Sequence, residues 1–152
     1  MREVISDWLM LLAAPILLLS LFLTWSHQFS PSFPARDAHL PVLSGVPRDP
    51  TAWQVYSVAD VLLALLAAGL LIVALRGSGP GRVAVLLGLS VALACVIHAL
   101  AVPPTSGAGL FDPALSLPRN TPSIPGSGGG EVVALIALIM GTIGVAVSLT
   151  AD

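Results

Sequence analysis

Four stretches of this chain are almost purely apolar, and its polar residues are crowded between them. They run over about 8–25, 52–75, 83–102 and 131–150, each close to the roughly 20 residues a helix needs to cross a bilayer. The pattern predicts an all-α fold: a transmembrane up-down four-helix bundle forming a single integral membrane domain over residues 1–152. Two long extracytoplasmic loops, over about 26–51 and 103–130, and one tight turn, Gly77-Ser78-Gly79-Pro80-Gly81, connect the spans.

Composition sharpens this reading. Of 152 residues, 56% are hydrophobic and only 9% charged, with a mean hydropathy of +0.96; a soluble domain carries roughly 25% charged residues. All six cations are arginines, and the net charge of −2 leaves no basic patch for a nucleic-acid partner. One cysteine, Cys95, excludes an intrachain disulfide, a CxxC redox site and a cysteine-built zinc site.

The first apolar run follows Met1-Arg2-Glu3 as a signal peptide would. Its length, Trp25 behind it and the lack of an Ala-x-Ala site predict a retained span. Arg2, and Arg76 and Arg82 around the tight turn, lie close to span ends, whereas Arg36, Arg48 and Arg119 are spread through the long loops. That density predicts that both termini are cytoplasmic and both long loops lie outside.

The outer loops are rich in proline, and the first also carries Phe29, Phe33, Leu40, Val42, Leu43 and Val46, which predicts folding back onto the bundle or interface. Asp49-Pro50 reads as an N-cap followed by proline at the first helical position, and Asp112-Pro113 repeats it. Gly126-Ser127-Gly128-Gly129-Gly130 lacks the Lys-Ser/Thr of a phosphate loop and reads as a flexible linker. Trp8, Trp25 and Trp53 are expected as interfacial anchors. Pro15 is expected to kink the first span.

Small residues mark where helices approach in lipid. Ala134, Ala137, Gly141, Gly144 and Ser148 form one stripe on the fourth span. The second carries Ser57, Asp60, Ala64, Ala67 and Ala74 with Leu71 in one gap, and the third carries Ala84, Gly88, Ala92, Cys95 and Ala99. These stripes fit packing within one bundle, or a contact with a second copy or another subunit.

Asp60 stands out in this setting. A carboxylate in a membrane span needs a partner, a watery recess or a proton. It lies nineteen residues before Gly79, the centre of the turn, and His98 lies nineteen after it. Equal rise along antiparallel helices puts the two at similar depth near the outer face. Glu131 enters at the same end, where it favours a helix N-terminus. The expectation is a buried polar cluster of Asp60, His98, Ser57, Tyr56 and Glu131, in which Asp60 pairs with His98 or else bonds Tyr56, Ser57 or a loop backbone. Inward of it only Ser90 and Cys95 are polar, which predicts a dead-end recess and no transmembrane relay. His27, His39 and His98 are too scattered for haem. No metal set, cofactor motif or assembled nucleophile is visible, so the expectation is a non-enzyme without cofactors.

Leu19-Ser20-Leu21-Phe22-Leu23-Thr24-Trp25, followed by Thr51-Ala52-Trp53-Gln54-Val55-Tyr56-Ser57-Val58-Ala59-Asp60-Val61-Leu62-Leu63, resembles a group of small four-span proteins of actinobacteria. In that group a Leu-Pro-Trp-like corner ends the first span and a Trp-x-x-Phe/Tyr-Ser-x-x-Asp segment leads into the second. Thr24 stands here where the corner usually has proline. The resemblance covers the first two spans and implies an architecture, with weight on the Trp53–Asp60 segment, but no activity. The functional expectation is a structural or accessory membrane protein, a homo-oligomer or the small subunit of a larger complex. The alternative is a small transporter, channel or ligand-sensing component built around Asp60 and His98.

Overall fold

The computed structural model describes residues 2–27, 49–55, 57–76, 79–101 and 126–150. They form helices α1 (Arg2–Ser20), α2 (Ala52–Val55), α3 (Ser57–Arg76), α4 (Gly79–Ala101) and α5 (Gly129–Leu149), with two short strands, β1 (Ser26–His27) and β2 (Gly126–Ser127). The fold is all-α. Three helices are long and apolar enough to cross a membrane: Val58–Arg76 within α3, Gly79–Ala101 and Gly129–Leu149. The apolar part of α1, Val4–Ser20, is shorter.

The first helix therefore starts and stops earlier than its apolar run suggests. Beyond Ser20 the chain tightens: the amides of Leu21, Phe22 and Leu23 donate to the carbonyls of Leu18, Leu19 and Ser20, three-residue spacings that close a helix end. Ser20 Oγ also donates to the Leu17 carbonyl at 2.6 Å. Pro15 is accommodated inside the helix. The inward face of α1 is Met10, Ala13, Ala14, Leu17 and Leu21, all buried, at the three-and-four spacing of one helix side.

α5 packs against α1 and α4, and α3 packs against α1 and, more loosely, α4. The inward stripe of α5 contains all five small residues expected there, together with Leu138 and Val145. Gly144 lets α1 come close: a Cβ there would lie 2.9 Å from Met10 Cγ and 3.1 Å from the Ser6 carbonyl. Gly141 faces Leu70 of α3 and Leu89 of α4. The inward stripe of α3 is Asp60, Leu63, Ala67, Leu70 and Val73. It is rotated from the small-residue face expected for that span, and Leu71 points outward. On α4 the buried positions are Leu89, Val96 and Ala99, while Ala84 and Cys95 are exposed. Of the expected small faces, Asp60, Ala67 and Ala99 are buried, and Leu63, Leu70, Val73, Leu89 and Val96 fill the rest of the interior beside these two helices.

Two local expectations are corrected here. Asp49 does not cap the second helical segment. The cap is Thr51, whose amide donates to Gln54 Oε1 at 3.0 Å, half of a capping box. Pro50 precedes it, with its carbonyl taken by the Trp25 amide at 2.9 Å. The glycine-rich stretch is also no free linker: Gly126 and Ser127 pair with His27 and Ser26 in an antiparallel ladder, and Gly128 is the N-cap of α5 in extended conformation. Asp112-Pro113 lies outside the described residues, as do most of the two long loops.

Candidate functional site

One end of the bundle is organised around Trp25. Its indole N–H donates to the Ser20 carbonyl at 2.8 Å, its amide to Pro50, and its carbonyl accepts the Gly128 amide at 2.8 Å. The Gly130 amide donates to the Thr24 carbonyl at 2.7 Å, and Thr24 bridges to Thr51. The end of α1, the approach to α2 and the start of α5 are thus tied by main-chain bonds through two residues. Glycine is required on the α5 side: a Cβ on Gly128 would sit 2.2 Å from the Thr24 oxygen, and one on Gly130 would sit 2.5 Å from the Trp25 ring. At the rim, His27 Nδ1 and Asp49 Oδ1 lie 2.7 Å apart with both side chains half exposed.

Two acids are enclosed at this end. Asp60 and Glu131 are each fully buried, and none of their four carboxyl oxygens has a hydrogen-bond partner. Each begins the inward stripe of its helix and lies in its first turn, where the helix dipole favours a negative group. The Gly128 amide lies near the Glu131 carboxyl, but its hydrogen bond goes to the Trp25 carbonyl. Burying a carboxylate without compensating bonds opposes folding, so these groups are not explained by stability.

The expected partner of Asp60 is elsewhere. His98 is exposed on α4, next to the buried Ala99, and no hydrogen bond links it to Asp60, whose oxygens are unpartnered. Counting residues from the turn sets depth along a helix but says nothing of rotation about it, and these two side chains differ in rotation. Tyr56 and the side chain of Ser57 lie outside the described residues. Among the described residues, no three of His, Cys, Asp and Glu come together as metal ligands.

Of the three tryptophans, Trp8 and Trp53 are exposed and Trp25 is only 2% exposed. Trp25 is therefore an internal strut and not an anchor at the interface, because its N–H satisfies an orphan carbonyl at the end of α1. Trp53 pairs with Phe22 across 6.0 Å, a tilted aromatic contact on the outside.

Sequence reading missed a cavity of about 960 Å³ between α3 and α4. Trp25 lies at one end, Leu66, Leu87 and Gly88 at the other, and Cys95 and His98 contribute to the α4 wall. No feature of the sequence marks it, because it forms only where α3 and α4 stand apart beyond the Leu66–Gly88 contact. No protein-family model, curated protein or solved structure matches the chain.

Proposed function

We propose that this chain is a structural or accessory protein of the bacterial inner membrane, crossing it four times as an up-down bundle with both termini cytoplasmic and both long loops outside. It acts without catalysis, through helix–helix and loop contacts, as a homo-oligomer or as the small subunit of a larger complex. The observation that carries this reading is the Trp25 hub. Both long loops have ends on the β1–β2 seam, at His27 and Gly126, and the first returns to it through Asp49 and Pro50. Loops held on a rigid frame are where proteins place recognition surfaces. Photo-crosslinking residues introduced at Phe33 and Phe111, followed by mass determination from native membranes, test it. Adducts with a second copy or another membrane protein support the proposal. A monomer without adducts sinks it.

The second reading, a small transporter, channel or ligand-sensing component, is favoured by the unpartnered carboxyls of Asp60 and Glu131. Ionisable groups held inside a membrane protein are commonly tied to a ligand or an ion. This reading keeps Asp60 from the expected pair and replaces His98 with Glu131. Flux or binding in reconstituted vesicles that disappears in Asp60→Asn while the fold survives would favour it over the accessory role.

A further inference from the structure

We propose that the cavity between α3 and α4 is a seat for the hydrocarbon portion of a membrane lipid, taken from the leaflet at the Trp25 end. The inference requires only that the bundle lies in a bilayer, and is independent of what the loops bind.

The shape of the cavity selects this occupant. It extends along α4 from Ala99 to Leu87, about 18 Å at ~1.5 Å per residue, close to the ~15 Å depth of one leaflet. Below that the hairpin closes. Leu66 packs directly over Gly88, and Val85 sits 3.4 Å from where a Cβ on Gly69 would be. A spanning helix from a second copy or partner needs roughly 30 Å of continuous surface, and this wedge ends near the middle. An extended loop segment would fit the length, but it would bring backbone N–H and C=O groups into a wall that cannot satisfy them.

The chemistry agrees. Apart from Cys95 and His98, the lining residues are aliphatic or Trp25, and the indole N–H is already bonded to Ser20. A hydrocarbon tail asks for nothing more. Leu62 and Leu65 on one edge and Leu87 and Val91 on the other are more than 60% exposed, so the wedge opens sideways to lipid and a tail enters without passing a polar barrier. His98 stands at the end near Trp25, level with the tail's polar attachment.

Trp25 reports on the seat. In a Trp8→Phe/Trp53→Phe protein it is the remaining tryptophan. Reconstitution into phosphatidylcholine vesicles brominated at mid-chain is expected to quench its emission, relative to unbrominated vesicles, although the ring is nearly closed to solvent. Ala92→Phe, which fills the wedge from α4, is expected to abolish that quenching. Unquenched Trp25, or quenching undiminished in Ala92→Phe, overturns the proposal. Should Ala92→Phe fail to fold, the wild-type chain supplies the second measurement. Cys95 in the wedge wall is expected to react with a lipophilic maleimide and to resist oxidative dimerisation. Ready formation of a Cys95–Cys95 dimer would place a second copy in the seat and also overturns it.

Discussion

The Trp25 carbonyl accepts the Gly128 amide at 2.8 Å, joining the end of the first helix to the start of the last. With the indole N–H on Ser20 and the amide on Pro50, every polar group of Trp25 serves a different segment. Stability should therefore be unusually sensitive here.

Trp25→Phe leaves the Ser20 carbonyl without its donor and opens space beside Gly130. The expected loss is about 1–3 kcal/mol from the unsatisfied buried carbonyl. Thermal unfolding in detergent should show a clear drop for Trp25→Phe, and little change for Trp8→Phe or Trp53→Phe, whose rings are exposed.

Neighbouring glycines should behave oppositely. A Cβ on Gly128 meets the Thr24 backbone, whereas one on Gly129 meets nothing within 4 Å. Gly128→Ala is expected to destabilise by about 1–3 kcal/mol through overpacking. Gly129 is the first residue of α5, and Gly129→Ala should be neutral or stabilising by up to about 1 kcal/mol through the lower entropy of the unfolded chain. Equal unfolding midpoints for the two variants would contradict the hub geometry.

Removing the enclosed acids should stabilise the protein. Asp60→Ala and Glu131→Leu each delete a buried carboxyl that has no hydrogen-bond partner, with an expected gain of about 1–3 kcal/mol. Paired denaturation curves decide this; a marked loss would mean that a donor engages the carboxyl in the membrane.

The His27–Asp49 contact should matter little despite its 2.7 Å distance, because both side chains are about half exposed. Asp49→Asn is expected to change stability by less than about 1 kcal/mol, with the difference shrinking as salt is added. A double-mutant cycle with His27→Gln gives the pair's coupling directly.

Much of the architecture was legible along the chain. Runs of apolar residues near 131–150 and 83–102 correspond closely to α5 and α4, because length and hydropathy are one-dimensional properties. The small-residue stripe of α5, from Ala134 to Ser148, could be read from spacing alone, since glycine and alanine mark a close approach whatever the neighbour. The early end of α1 at Ser20 was not legible, because Leu21, Phe22 and Leu23 are as apolar as the helix before them. Their turn depends on Trp25 bonding back to Ser20.

The candidate site divides along the same line. Residue type and depth singled out Asp60 and Glu131 and placed them at one end, because a carboxyl in an apolar run is conspicuous in any fold. Rotation about the helix axis left no such trace. It is decided by which face α3 presents to α1 and which face α4 presents to α5, and so only packing could direct Asp60 inward and leave His98 on the surface. The wedge likewise belongs to tertiary structure, because it exists only where α3 and α4 diverge above the Leu66–Gly88 contact.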